Sequence, residues 1–397
     1  MKNLGLYIFV FLFLIHGLPI ATVYYPSVVF AIVIIVLFLI LARYVYFRQW
    51  IAIAPLVVIP FLDMFIGAST DTIGFFQSVS GFLQVLIPVF LLYYIRKNDA
   101  HLGHYVLMFF LVSSLATTVT TYFGCVQIPG IIRQIVGGGS RTNEYYMIAQ
   151  SLNIADFDFI YEMVMMLPVI ICAIRYRDLF RKPLFILAWC SLFLLSICLM
   201  LLSAEFTTAI VSGFVTIVVL SVMNKHLDLK KLCVWGITVF AFFMVFRSMM
   251  VDVIAYFANN IESGDVSHRL SDLAASLSGE EISQGSDFES RQDHYKASVD
   301  AFVRHPLGTW NLMEMGGHSF VLDTLAKYGL LGIFLVYCYF KTIVKNYILP
   351  LKAYPYYGYA MVVFLISIIF SVVNPHVYTS FFCLYLPLIF AKFETSK

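Results

Sequence analysis

The chain has 397 residues, of which 61% are hydrophobic and 12% charged, with a formal net charge of +2. Soluble domains carry roughly 25% charged residues, so about half of the usual solvating surface is missing. A soluble enzyme, a disordered scaffold and a secreted disulfide domain are excluded, and unbroken apolar runs such as 30–42 argue against the alternating strands of a β-barrel. An all-α polytopic membrane protein remains, and at roughly 20 residues per span its apolar content sets a ceiling near twelve helices.

In chain order the apolar runs predict spans at 4–21, 27–46, 51–68, 75–95, 104–124, 157–174, 183–203, 205–223, 233–255, 318–340, 356–373 and 376–392. The first run, after Lys2, also fits a cleaved signal peptide, although no small-x-small cleavage site follows it. With the N-terminus inside, the even-numbered connections should collect Lys and Arg. They do. Arg43 and Arg48 follow span two, Arg96 and Lys97 span four, and Arg175, Arg177, Arg181 and Lys182 span six. Lys225, Lys230 and Lys231 follow span eight, Lys341, Lys345 and Lys352 span ten, and Lys392 and Lys397 close the tail. About 17 of the 25 basic residues fall inside, against about 4 of the 23 acids. The reading is a single integral membrane domain over 1–397 with twelve spans and both ends cytoplasmic.

The seven cysteines are an odd number without a Cys-x-x-Cys pair, so neither a disulfide framework nor a zinc site is indicated. Most connections are short, but two are long and both face outward: 124–156 and 256–317. Long loops in compact bundles usually carry function. The larger holds about ten Asp and Glu against four Lys and Arg, so its few arginines call for individual explanations.

Within 290–304, apolar Tyr295, Val299, Phe302 and Val303 keep helical spacing and predict a short amphipathic helix ended by Pro306. Ser290 with Asp293 resembles a capping box, which puts Arg291 in the first helical turn. A cation gains nothing from the macrodipole there, whereas a guanidinium beside free amides makes a phosphate site. A surface ion pair with Asp287, Glu289 or Asp293 fits the same residues. His318 stands at the start of span ten, where the dipole disfavours imidazolium. A neutral imidazole there can accept a proton from a hydroxyl; an interfacial histidine bonded to its own loop is the plain alternative. His268, His294 and His305 read as solvated.

Asp323 and Lys327 lie four apart in span ten, as an ion pair or a functional pair, and Gly329 and Gly332 permit close helix approach. Arg247 falls about two turns inside span nine, aimed at an internal carboxylate or a lipid phosphate. In the first long loop Arg133, Arg141 and Tyr145 flank a run of three glycines, as a phosphate and sugar site or as a flexible linker.

Arg291, then Pro306-Leu307-Gly308, His318-Ser319 and Gly329-Leu330-Leu331-Gly332 resemble the C-terminal signature of the O-antigen ligase and polymerase superfamily. The likeness covers about forty residues and includes the single large outer loop between late spans. It implies a GT-C-like fold, no cofactor, no metal, and polyprenyl-diphosphate-linked glycans as substrates. On that likeness Arg291 binds the diphosphate and His318 serves as base or orients the acceptor. Ligase-like members often carry Ser-Arg-Gly at the earlier tight outer turn; here that stretch reads Ser203-Ala204-Glu205-Phe206-Thr207. The departure favours a Wzy-type repeat-unit polymerase, with Glu205 orienting the acceptor sugar and Arg247 supplying the missing charge. Its partners would be an undecaprenyl-diphosphate-linked donor and acceptor in the bacterial inner membrane, a chain-length regulator and a flippase, with no nucleic acid. The alternatives are a ligase that transfers glycan to lipid A core and a flippase for the same lipid-linked sugar.

Overall fold

The computed structural model describes residues 4–24, 27–68, 72–132, 135, 144–203, 207–222, 234, 237–238, 241, 245–260, 264–278, 287–310, 316–375 and 378–394. Among these, every regular element is helical. The chain runs through α1 (Leu4–His16), a single turn at Ala21–Tyr24, α2 (Ser27–Ala42), α3 (Phe47–Ala68), α4 (Thr72–Asn98) and α5 (Ala100–Gln127). It continues through α6 (Glu144–Ser151), α7 (Phe157–Arg175), α8 (Pro183–Ser203) and α9 (Thr207–Val222). After α10 (Arg247–Asn260), α11 (Gly264–Ser278) and α12 (Asp287–Arg304) come α13 (Phe320–Ile343), α14 (Tyr357–Val373) and α15 (Leu386–Glu394).

Among the described residues, four helices are long and apolar enough to cross a membrane: α5, α7, α8 and α13 with its extension to Ala353. Shorter apolar helices surround them, including α1 and α14. The predicted span 233–255 is described only in pieces before residue 245, and its end belongs to α10, which starts at Arg247. The two long connections also differ from expectation. The first begins only after Gln127 and contains α6; the second contains α11 and an α12 longer than the short amphipathic helix expected there. Sequences of mixed polarity such as Gly264–Ser278 fold into helices by presenting one apolar stripe.

Polar residues mark where the apolar runs stop. Asp99 caps α5 by accepting from the Leu102 amide at 3.1 Å, and it also accepts from the Tyr7 hydroxyl at 2.8 Å. Asp156 caps α7 through the Phe159 amide at 3.3 Å. α7 is the central helix: it packs on α8, α9 and α14, and 72% of its apolar stretch is buried, against 33% for α8.

The helix ends sort into two groups. At one end Lys97 donates to the Tyr46 hydroxyl at 2.7 Å, and Arg175 donates to the Tyr359 hydroxyl at 2.8 Å and to the Leu220 carbonyl. At the opposite end the Phe320 amide donates to the Asn374 carbonyl at 2.9 Å and the Tyr295 hydroxyl to the Val373 carbonyl at 3.1 Å. The connections that follow Lys97 and Arg175 thus lie away from the α12–α13 region.

Candidate functional site

The start of α13 is built around one buried carboxylate. Ser319 caps the helix, its hydroxyl accepting from the Leu322 amide at 3.1 Å. Asp323, buried, accepts from the Ser298 hydroxyl at 2.6 Å, the Ser319 amide at 3.0 Å and the Gly317 amide at 3.3 Å. Ser298, on α12, in turn accepts from the Gly316 amide at 2.9 Å. Three donors satisfy a carboxylate whose burial would otherwise be costly. The expected Asp323–Lys327 pair is therefore not formed; the carboxylate faces α12 and the loop instead.

Two glycines let that loop close on α12. Gly317 has φ +73°, and a Cβ at Gly316 would collide with the His294 carbonyl. The result brings His318 and His294 together, their ring centroids 4.2 Å apart and inclined by 49°. His294, expected to be solvated, is half-buried against this partner. The correction has a plain cause: the loop returns over α12, so a ring on that helix is covered.

Below this cap α13 is broken. Gly329 has φ +58° and ψ −137° inside the helix. The carbonyls of Ala326 and Lys327, released by the break, accept from the Thr309 and Trp310 amides at 3.1 and 3.0 Å. The Leu330 amide donates to the Pro306 carbonyl at 2.8 Å. The Pro306-Leu307-Gly308 turn and the Gly329-Leu330-Leu331-Gly332 run are thus mated backbone to backbone. A Cβ at Gly308 (φ +93°) would collide with the Lys327 carbonyl, and one at Gly329 with the Pro306 carbonyl. Close helix approach was expected at Gly329 and Gly332; instead Gly329 admits the loop, and Gly332 admits the Thr324 carbonyl of the preceding part of its own helix.

The break turns Lys327 and Tyr328 toward α3. Lys327 donates to Asp63 at 2.9 Å, and the Tyr328 hydroxyl donates to the same carboxylate oxygen at 2.8 Å. Trp310, half-exposed, meets the Tyr328 ring edge-on at 5.2 Å. Asp63 was absent from the sequence-derived candidates. Its signal was available as a lone acid inside an apolar span, where charges default to a functional or pairing role.

The remaining candidates scatter. α12 begins at Asp287, so Arg291 lies in the second turn, past the free amides of the helix start; its side chain lies outside the described residues. The first-turn phosphate argument therefore does not apply at position 291. Arg247 is the first residue of α10 and is exposed, and its Nε donates to the Leu277 carbonyl. Tyr145 is exposed on α6. Arg133, Arg141 and Glu205 lie outside the described residues. Among the described residues no three His, Cys, Asp or Glu gather as a metal-binding set.

What the site offers chemically is a pair of touching imidazoles at a helix start, fixed by a fully bonded carboxylate one turn away. Neighbouring imidazoles exchange and relay protons near neutral pH. No known protein family, characterised protein or solved structure matches the chain.

Proposed function

We propose that the chain is a metal-independent membrane glycosyltransferase that polymerises polyprenyl-diphosphate-linked oligosaccharide repeat units. In this reading it has twelve spans, a GT-C-like fold and an active site on the outer face of the bacterial inner membrane. One observation carries the reading. His318 rests on His294, and position 291 lies three residues before His294 on α12, one turn away along the same side of the helix. Position 291 and the ring partner of His318 therefore lie on adjacent turns of α12.

In the proposed reaction the acceptor hydroxyl attacks the anomeric carbon of the donor chain and passes its proton to His318. The bond from that carbon to the diphosphate oxygen breaks, and Arg291 stabilises the charge on the departing diphosphate. His294 orients His318 and fixes which nitrogen is free to accept. The undecaprenyl diphosphate bond supplies the driving force, so no nucleotide enters the scheme.

The test is the surface glycan of a deletion strain carrying each variant, read as polymer ladders alongside protein level. Arg291→Lys and His318→Ala should each cost on the order of 100-fold or more in rate, because a fork donor or a proton acceptor is lost. His305→Ala should be mild. Full activity of both Arg291→Lys and His318→Ala would sink the assignment. The break at Gly329 favours one second reading, since interrupted helices beside charged groups line substrate paths in transporters. A flippase would move lipid-linked sugar without lengthening it; a ligase would place glycan on lipid A core.

A further inference from the structure

A cavity lies at the opposite end of the bundle from His318. It is a cleft of about 460 Å³ between α5, α7, α8 and α15, within the range of about 300–1,000 Å³ typical of ligand pockets. Its deep part is apolar, formed by Leu111, Met166, Ile170 and Ile389. Its mouth carries His104 and Arg181, and Trp189 lines its wall. The polarity follows the helix axes. His104 stands near the start of α5 and Leu111 two turns further in; Ala173 stands near the end of α7 and Met166 two turns further in. Seven residues at about 1.5 Å each give a cleft roughly 10 Å deep, most of one leaflet's share of a hydrocarbon core of roughly 30 Å.

Arg181 is exposed and, among the described residues, makes no ion pair or hydrogen bond. Arg177 and Lys182 flank it, with Asp178 as the single acid between 175 and 182. A cation at the mouth, a tryptophan nearly two turns into α8 and an apolar slot running inward follow the order of phosphate, interface and chain in a lipid. A soluble anion would find charge here but no use for the apolar depth. A neutral lipid would use the depth but leave Arg181 unmatched.

We propose that this cleft holds one acyl chain of an anionic phospholipid, with the headgroup phosphate on Arg181 and His104. The lipid fills the seam between α5, α8 and α15 and ties the fold to the charge of the leaflet at the basic end. The site is independent of the glycosyl-transfer reading.

The test uses the full chain in non-ionic detergent and native mass spectrometry with dioleoyl phosphatidylglycerol or dioleoyl phosphatidylcholine. Both lipids carry a phosphate, but the trimethylammonium of phosphatidylcholine cancels its charge, so phosphatidylglycerol should be retained about fivefold better, the worth of one basic residue against an anionic headgroup. Arg181→Gln, a surface change that leaves the packing intact, should erase that preference. Ala173→Phe should lower retention of both lipids by narrowing the mouth. A photo-reactive acyl chain on phosphatidylglycerol should label peptides spanning 104–111 or 166–173. Equal retention of the two lipids, an undiminished preference in Arg181→Gln, or labelling only elsewhere would overturn the proposal. Displacement of the lipid by excess inorganic phosphate would assign the site to a soluble anion and overturn it too.

Discussion

Two membrane-length helices, α7 and α13, are held in place by opposite means. α7 contains Pro168 yet runs unbroken, with 72% of its apolar stretch buried against α8, α9 and α14. α13 contains no proline in Phe320–Ile343 and is broken at Gly329, with 44% of its stretch buried. A residue's intrinsic tendency to interrupt a helix does not decide the matter. Partners do: α7 is enclosed by side chains, whereas the 306–310 segment offers α13 the donors and acceptor that its broken turn needs.

The comparison breaks first at the glycines. Gly329→Val and Gly308→Val each combine a left-handed backbone, costing roughly 1–2 kcal/mol, with a collision against backbone, costing roughly 1–3 kcal/mol. A loss of ~3 kcal/mol or more is expected, read as the thermal unfolding midpoint in detergent. Gly317→Ala is the control, since Gly317 has φ +73° but nothing near its missing Cβ. It should cost only the conformational part, about 1–2 kcal/mol. Equal losses at Gly317 and Gly329 would mean that the mated turn contributes nothing.

Next comes the carboxylate at the top of α13. Asp323→Ala leaves the Ser298 hydroxyl and the Gly317 and Ser319 amides without their acceptor. About 2–3 kcal/mol of destabilisation is expected from the stranded donors, and amide exchange at 316–319 should rise with it. Asp323→Asn retains one acceptor oxygen and should lose less.

The Asp63–Lys327 pair spans two helices at the break, and both groups are partly exposed, at 32% and 13% of the side chain for Asp63 and Lys327. Exposure weakens the pair, so Asp63→Ala should cost about 1–2 kcal/mol rather than the larger loss of a fully buried pair. Asp63→Leu with Lys327→Met should recover part of it, with a coupling near 1 kcal/mol in a double-mutant cycle. Strict additivity would show that the geometry is incidental.

How much of this was legible in the sequence follows the same divide. Apolar runs delimit α7 and α8 almost to the residue, because a spanning helix is specified by local composition alone: 157–174 against Phe157–Arg175, and 183–203 against Pro183–Ser203. The α12–α13 region resists that kind of reading. Asp63 and Lys327 meet across 264 positions, and no spacing rule reports such a pair. Asp323 and Lys327 have the spacing of an ion pair, yet two amides of the preceding loop and the Ser298 hydroxyl of α12 outcompete a lysine for the carboxylate. The start of α12 was read three residues late because Ser290 with Asp293 resembles a cap. Asp287 and Glu289, acids that suit a helix N-terminus, extend the helix and carry Arg291 into its second turn. His294 and His318 come together only because the glycine loop doubles back.

The smallest expected effect sharpens the comparison from the α7 side. A proline in an exposed helix interior costs about 3 kcal/mol relative to alanine, through a lost hydrogen bond and a ring clash. If local propensity ruled α7, Pro168→Ala would stabilise the protein by an amount of that order. Pro168 is buried among α7's packed neighbours, however, and its ring fills space that alanine would leave empty. The recovered hydrogen bond, worth about 1 kcal/mol, then offsets a packing loss of similar size. The expected net change is within about 1 kcal/mol of zero, measured as the shift in unfolding midpoint. A gain of ~3 kcal/mol would place α7 under the control of its own backbone and remove the contrast with α13.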